Sequence, residues 1–282
     1  GDNMIAYCFT SVPKQCKVGS YIGTGAAGNE VNVGFEPAWV MVKLINGIGD
    51  WLIFDNKRSI TSTLRANTSA TDTSDDRDLT FTDNGFIPAG TLDPNNSSGT
   101  YIYLAIAQDL SQRTLLPHNQ TFTPTFACKE DNVNLDVSFD GGTNYNSLVK
   151  ASGATLEGNA VHANDEFETV VYTGNGATQT VNATNITSNI DFTWLKGRNA
   201  VQFHYIYDSI RGAGNAIYPN DTSLEQNSAT TLTSLNAGSF SLGSDGGVNT
   251  NTNTYVAWFA SLPNHTVSNT AGTITSETKA NS

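Results

Sequence analysis

Basic side chains, cysteines, long apolar runs and helical periodicity are all in short supply in this sequence, and each shortage closes a class of function. The 282 residues carry 14 Lys plus Arg against 26 Asp plus Glu, a formal charge of −12. A phosphate backbone is repelled by such a surface rather than drawn in, so nucleic acid is not expected as a partner. The three cysteines, Cys8, Cys16 and Cys128, are too few and too scattered for a disulfide framework, and no C-x-x-C pair suggests zinc; they are expected to be small buried apolar residues. No apolar stretch approaches the roughly 20 residues that cross a bilayer as a helix, so membrane insertion is not expected. The opening "GDNMIAYCF" lacks the basic and hydrophobic blocks of a signal peptide. It already has a strand-like pattern, which leads us to expect a segment of something longer.

What is present is a mixture of Gly, Asn, Ser and Thr with short apolar runs. "AWVMVKLI", "DWLIFD", "TYIYLAIA", "VNLDVSF", "ETVVYTG", "VQFHYIYD" and "TYVAWFAS" read as strands, punctuated by turns such as "NGIGD", "TDNGF", "LDPNNSSG" and "SDGGVNTNTN". No segment has the 3.6-residue period of a helix longer than a turn or two. The prediction is an all-β, antiparallel sandwich architecture.

Comparison of the chain with itself is more informative than any single motif, and reveals two copies offset by roughly 150 residues. "GSYIGTG" recurs as "VVYTGNG", placing Tyr21, Gly23 and Gly25 over Tyr172, Gly174 and Gly176; "PAWVMVK" recurs as "IDFTWLK", Lys43 over Lys196. "WLIFDNKR" recurs as "HYIYDSIR", which sets Asp55 over Asp208, Arg58 over Arg211 and Trp51 over His204; Asn67 then matches Asn220, and Tyr101 of "TYIYLAIA" matches Tyr255 of "TYVAWFAS". The expected layout is tandem antiparallel β-sandwich (jelly-roll-like) domains with a small β insert between them. Residues 1–9 are expected to be the closing strand of a preceding repeat, 10–109 the first sandwich, 110–164 a small β insert or bridge, 165–263 the second sandwich and 264–282 a polar connector.

The ordered set "VGSYIGTG", "VGFEPAWVMVK", "DWLIFDNKR", "TDNGF" and "GTYIYLAIA", with "YTGNG", "YDSIRGAGNAIYPNDTS", "SFSLGSDGGVNTNTNTYVAWF" and "VSNTAGTITS" in the second copy, resembles a recurrent module of tailed-phage virion proteins, often associated with laminin-G-like lectin domains. The resemblance spans most of residues 1–109 and 165–282 and leaves the middle insert out. It implies a β-sandwich fold and a place on the exterior of a phage particle. It supplies no catalytic or ligand residues.

Several residues invite a chemical reading. Asp55 with Arg58, and Asp208 with Arg211, each follow an aromatic residue at the end of an apolar strand; that spacing lets the guanidinium fold back on the carboxylate, and its repetition is what a folding requirement predicts. Asp72, Asp75, Asp76 and Asp78 in "DTSDDRD" offer hard oxygen ligands for calcium, against which stands the matching loop "SLEQNSATT", almost without charge. Trp51, Tyr205 and Tyr218, with Tyr145 and Trp258, are candidates for stacking on sugar rings. His118, His162, His204 and His265 have none of the spacings that metal sites favour. Lys43 and Lys196 are expected to snorkel outward, and "GTGAAGNE" reads as a hairpin loop, without the G-K-[ST] of a phosphate loop.

The sequence therefore predicts an architectural virion component, a fibre, tail or surface appendage, acting as a homo-oligomer with other virion proteins and extending as a stiff rod. The alternative is a module that binds host surface polysaccharide. No enzyme activity and no obligatory cofactor are expected, since glycoside hydrolysis needs two converging carboxylates.

Overall fold

The computed structural model describes residues 5–74, 77–107, 127–130, 134–138, 146–149, 167–262, 266–269 and 276–279. Almost all of its regular structure is antiparallel strand. The first copy supplies β1 (Cys16–Ile22), β2 (Val31–Asn32), β3 (Pro37–Leu44), β4 (Trp51–Asp55), β5 (Ser62–Arg65), β6 (Thr73–Ser74), β7 (Leu79–Thr82), β8 (Gly85–Pro88) and β9 (Thr100–Ala107). These form a long sheet, β1-β9-β3-β4-β5-β6, and a short one, β2-β8-β7. The middle segment forms its own meander of β10 (Ala127–Glu130), β11 (Asn134–Ser138) and β12 (Asn146–Val149), and residues 110–162 constitute a separate compact unit.

The second copy supplies β13 (Phe167–Thr173), β14 (Gln179–Asn182), β15 (Phe192–Gly197), β16 (His204–Asp208), β17 (Asn215–Ala216), β18 (Gln226–Asn227), β19 (Leu232–Asn236), β20 (Ser239–Leu242), the single-turn α1 (Gly246–Asn249) and β21 (Thr254–Ala260). Its long sheet runs β13-β21-β15-β16, continued to β17-β18 through the Ile206–Ile217 bridge, and its short sheet runs β14-β20-β19. Strand for strand this is the topology of the first copy. The registers agree too: Tyr21 faces Tyr101 as Tyr172 faces Tyr255, and Lys43 opposes Trp51 as Lys196 opposes His204.

Details that only a duplicated unit would share confirm the correspondence. The Tyr21–Tyr101 rings stack at 5.1 Å and so do Tyr172–Tyr255. Buried Asn95 and Asn249 play one role in the two copies: each accepts a loop N–H, from Thr24 or Asn175, and donates to carbonyls on both sides of the loop. Gly23 and Gly174 run against that plug so closely that a Cβ would lie 2.2 Å from the Asn96 or Thr250 carbonyl oxygen, which excludes any side chain at either position. Asn67 and Asn220 each accept from the first N–H of a strand, Trp51 or His204.

Alternation along the long sheets divides their side chains between cores. Val40, Val42, Leu52, Phe54, Tyr101 and Tyr103 face the short sheet of their own sandwich, as Leu195, Tyr205, Tyr207, Ala257 and Phe259 do in the second. The opposite faces are apolar as well. Trp39, Ile53, Leu64 and Leu104 meet Trp194, Ile206, Val256 and Trp258 in a third core between the two long sheets, with Trp51 and Phe167 packed at its margin. The two sandwiches are thus one compact body joined face to face, not a rod of separate beads, because strands apolar on both faces have to be covered on both.

Four local expectations need correction. Of residues 1–9, expected to close a preceding repeat, residues 1–4 lie outside the described residues and 5–9 form no strand here. The stretch expected to be a polar connector instead contains a paired hairpin, β22 (Thr266–Asn269) with β23 (Ser276–Lys279). "GTGAAGNE" does not turn a hairpin but carries the chain from the long sheet to the short one. Cys8 is exposed and Cys16 half-buried, not core; the side chain of Cys128 lies outside the described residues.

The meander leaves the scaffold between β9 and β13, whose facing ends are neighbours: Ile106 pairs with Trp39 in the ladder, and Trp39 meets Phe167 with ring centroids 6.1 Å apart. Replacing residues 110–162 with a short Gly/Ser linker is therefore expected to leave the double sandwich folded. The shorter connection is worth on the order of 1 kcal/mol in its favour, so calorimetry should find Tm unchanged or a few degrees higher. A fall of more than about 10 °C would mean that the scaffold depends on the insert.

Candidate functional site

The paired Asp and Arg residues are the most elaborate polar construction in the described structure. Asp55 ends β4 at the rim of the third core, and the turn that follows returns Arg58 to it. Asp55 Oδ1 accepts the N–H groups of Lys57 and Arg58, each at 3.0 Å, while Oδ2 accepts Arg58 Nε at 2.6 Å and Trp258 Nε1 at 2.9 Å. The rest of the guanidinium is spent on the Ile53 carbonyl and on Asp72 Oδ1, with the Trp258 ring 5.7 Å below its centre. Both side chains of the Asp55–Arg58 pair are fully buried.

Asp208 and Arg211 repeat this almost atom for atom. Asp208 Oδ1 accepts from Ile210 N and Arg211 N, Oδ2 accepts Arg211 Nε at 2.7 Å, and Arg211 Nη2 donates to the Ile206 carbonyl. Glu225 takes the place of Asp72 on Arg211 Nη1, at 2.9 Å. The fourth bond to the carboxylate comes from Tyr7, whose hydroxyl donates to Asp208 Oδ2 at 2.8 Å while its ring meets Phe192 edge-on at 5.3 Å. Laying Ile5-Ala6-Tyr7 over Val256-Ala257-Trp258 puts Tyr7 on Trp258, and the structure gives the two rings the same post in successive clamps. Sequence reasoning had the likeness of that segment to a closing strand but not this consequence.

With four donors on each carboxylate, neither clamp has an acceptor position left for proton transfer. The arrangement fixes backbone: strand end, turn and neighbouring sheet are tied to one carboxylate.

The calcium reading loses Asp72, which sits between two guanidinium groups, Arg58 at 3.1 Å and Arg198 at 3.1 Å. That pairing spans the two sandwiches and is reinforced by Asp72 N donating to the Arg198 carbonyl at 2.7 Å. Asp75 and Asp76 lie outside the described residues, and Asp78 is engaged in other interactions. Among the described residues no group of three His, Cys, Asp or Glu is placed to hold a metal ion. A shallow groove of about 340 Å3 beside Asp72, lined by Ser62, Thr71 and Asn199, contains charges that are already paired.

The aromatic candidates separate. Trp258 is core, Tyr205 is only 8% exposed, and Trp51 is half-buried against the third core. Tyr218 bridges Tyr205 and Phe203, with centroids at 5.1 and 5.5 Å, and Phe203 is the member open to solvent at 43%. Sequence reading missed Phe203 because it lies just before β16 in an apolar run, where a core position is the default. Tyr145, His118, His162 and His265 are outside the described residues.

His204 and Lys196 are both wholly buried at the junction. Lys196 does not snorkel: its ammonium donates to the Gly197 carbonyl at 2.7 Å and to Ser69 O at 3.4 Å, and burial pushes its pKa down to about 8. Lys43 likewise turns back onto the Leu44 carbonyl. His204 Nδ1 accepts from Trp194 Nε1 at 2.9 Å, so the proton sits on Nε2, which donates to the Arg65 carbonyl at 3.0 Å. Burial, followed by the charge of Lys196, depresses its pKa from 6.5 to about 3. Between those values the unfolded chain binds a proton that the folded chain refuses. The contribution of His204 is therefore whole above about pH 6.5 and is lost as the pH falls toward 3. Urea midpoints should fall more steeply over that interval for the parent than for His204→Gln; parallel curves would contradict the assignment.

Comparison with curated proteins and with solved structures gives no match. A family model does match residues 1–109 and 162–282, passing over the middle unit and taking both sandwiches as one domain. The chain belongs to the family described as Domain of unknown function (DUF7483).

Proposed function

We propose that the chain is an architectural, non-enzymatic component of a tailed-phage particle, part of a fibre, tail or surface appendage. The observation that carries the reading is the full occupancy of both clamp carboxylates: the polar residues kept in the two copies are consumed in fixing backbone and joining sheets. The motif order supports the location on the particle, and the charge of −12 opposes a nucleic-acid role. Among the described residues no helix is long and apolar enough to cross a membrane. The test is to purify particles of a phage that encodes this chain, identify their proteins by mass spectrometry and label them with gold-conjugated antibody to the chain. Label at repeated positions on the exterior is the expected result; absence of the chain from particles ends the reading.

One observation favours a second reading, the binding of host surface polysaccharide. Phe203 is presented on Tyr218 as a half-open ring, a face suited to the apolar side of a sugar. A glycan array with the parent chain and Phe203→Ala separates the two: binding lost in the variant supports recognition, and uniform absence of binding removes it.

A further inference from the structure

The two clamps differ in what fills them. In the first, the aromatic partner is Trp258, buried in the strand of a neighbouring sandwich. In the second it is Tyr7, carried by residues 5–11, which pair with no sheet. Ile5, Tyr7 and Phe9 remain 38%, 36% and 53% exposed, so the segment buries little beyond its tyrosine ring edge against Phe192. Its next anchors are the Ser11–Val18 hydrogen bond and the Val12–Cys16 bridge, leaving residues 8–10 as a connection. Beside the socket, Ile210 and Leu224 are 39% and 84% exposed, adjacent in sequence to the clamp residues Arg211 and Glu225. The tyrosine hydroxyl keeps its proton for Asp208 because burial, and then the carboxylate itself, push its pKa up.

We propose that the Asp208–Arg211–Phe192 socket is a homotypic docking site, in which Tyr7 from residues 5–11 of a second copy of this chain replaces the chain's own and links the two copies. The occupant is identified by the chain itself: the first socket is already filled by an aromatic donor from another sandwich, and residues 5–7 carry the same Ile/Val-Ala-aromatic order as the strand that fills it. Exchange of an identical segment sacrifices no contact, and the exposed Ile210 and Leu224 give a second copy held at the socket an apolar surface to cover. This deepens the assembly reading and rests on it.

Sedimentation of the full chain over a range of concentrations tests the joint. The parent is expected to self-associate, and Tyr7→Ala to lose association at concentrations where the parent is dimeric, because residues 5–11 then lack the ring and hydroxyl that hold them in a second copy's socket. Tyr7→Phe, which keeps the ring against Phe192, should fall between. Arg211→Ala chains, with a spoiled socket and an intact tyrosine, should fail to associate alone but form dimers when mixed with Tyr7→Ala chains, whose socket is intact. A parent that stays monomeric at its highest soluble concentration overturns the proposal, as does association undiminished in Tyr7→Ala. The second result leaves the particle reading standing, which the labelling experiment decides separately.

Discussion

Replacing Arg58 with alanine is expected to cost the fold about 3 to 5 kcal/mol, measured as the loss of unfolding free energy in urea. The size follows from burial. Asp55 and Arg58 side chains are both fully inaccessible and Asp72 is nearly so, so truncation leaves two carboxylates short of their shared counter-charge where water cannot replace it. Arg58→Lys is not expected to rescue, because an ammonium cannot reach Asp55, Asp72 and the Ile53 carbonyl with one planar fork. The repeat supplies an internal control. Arg211 and its partner Glu225 are 12% and 45% exposed while Asp208 is 7% exposed, so Arg211→Ala strands one buried carboxylate beside a space that water can enter, and its cost should be lower than that of Arg58→Ala, about 2 to 3 kcal/mol. Removing the charges together, with Arg58→Leu, Asp55→Asn and Asp72→Asn, is expected to cost less than Arg58→Ala alone, since the one charge then left without its partner, on Arg198, is 27% exposed and open to water. Equal losses for Arg58→Ala and Arg211→Ala would show that burial does not set the difference.

Trp258→Ala is the second large effect, about 3 to 5 kcal/mol. The indole is 1% exposed, touches Trp39 and Trp194 with centroids at 6.4 and 5.7 Å, and donates to Asp55. Its loss opens a cavity in the third core and removes a donor from a buried carboxylate together. Trp258→Phe divides these terms: most of the ring volume stays while the N–H goes, and about 1 to 3 kcal/mol should remain as the cost of the missing bond. Should Phe restore full stability, the bond to Asp55 would be dispensable and the residue would act through volume alone.

Much of the fold was legible because the chain contains its own alignment. Pairings such as Tyr21 with Tyr172, Asn67 with Asn220 and Asp55 with Asp208 match in register and in hydrogen bonding, and the clamp reading needed only the spacing of two residues. The third core was written there too, less plainly. "AWVMVKLI" and "TYVAWFAS" are continuous apolar runs, the mark of strands covered on both faces, but a run does not say whether its second cover is another sheet of the same chain or another molecule. The acidic loop misled for a related reason. Asp72 is neutralised by arginines 14 and 126 positions away, and Glu225, the one carboxylate retained in the matching loop, reveals its purpose only once Arg211 is seen beside it. Lys196 shows the same limit: its acceptors are the Gly197 carbonyl and, from the other copy, the Ser69 carbonyl, and neither has a side-chain signature.

The chain has 4 tryptophans, and Trp39, Trp194 and Trp258 lie within the core shared by the two sandwiches while Trp51 packs at its margin. Intrinsic fluorescence is therefore a local optical gauge. A red shift of the emission reports water entering between the two long sheets, whereas melting confined to the short sheets or the middle meander is dark at this wavelength and has to be followed by other means.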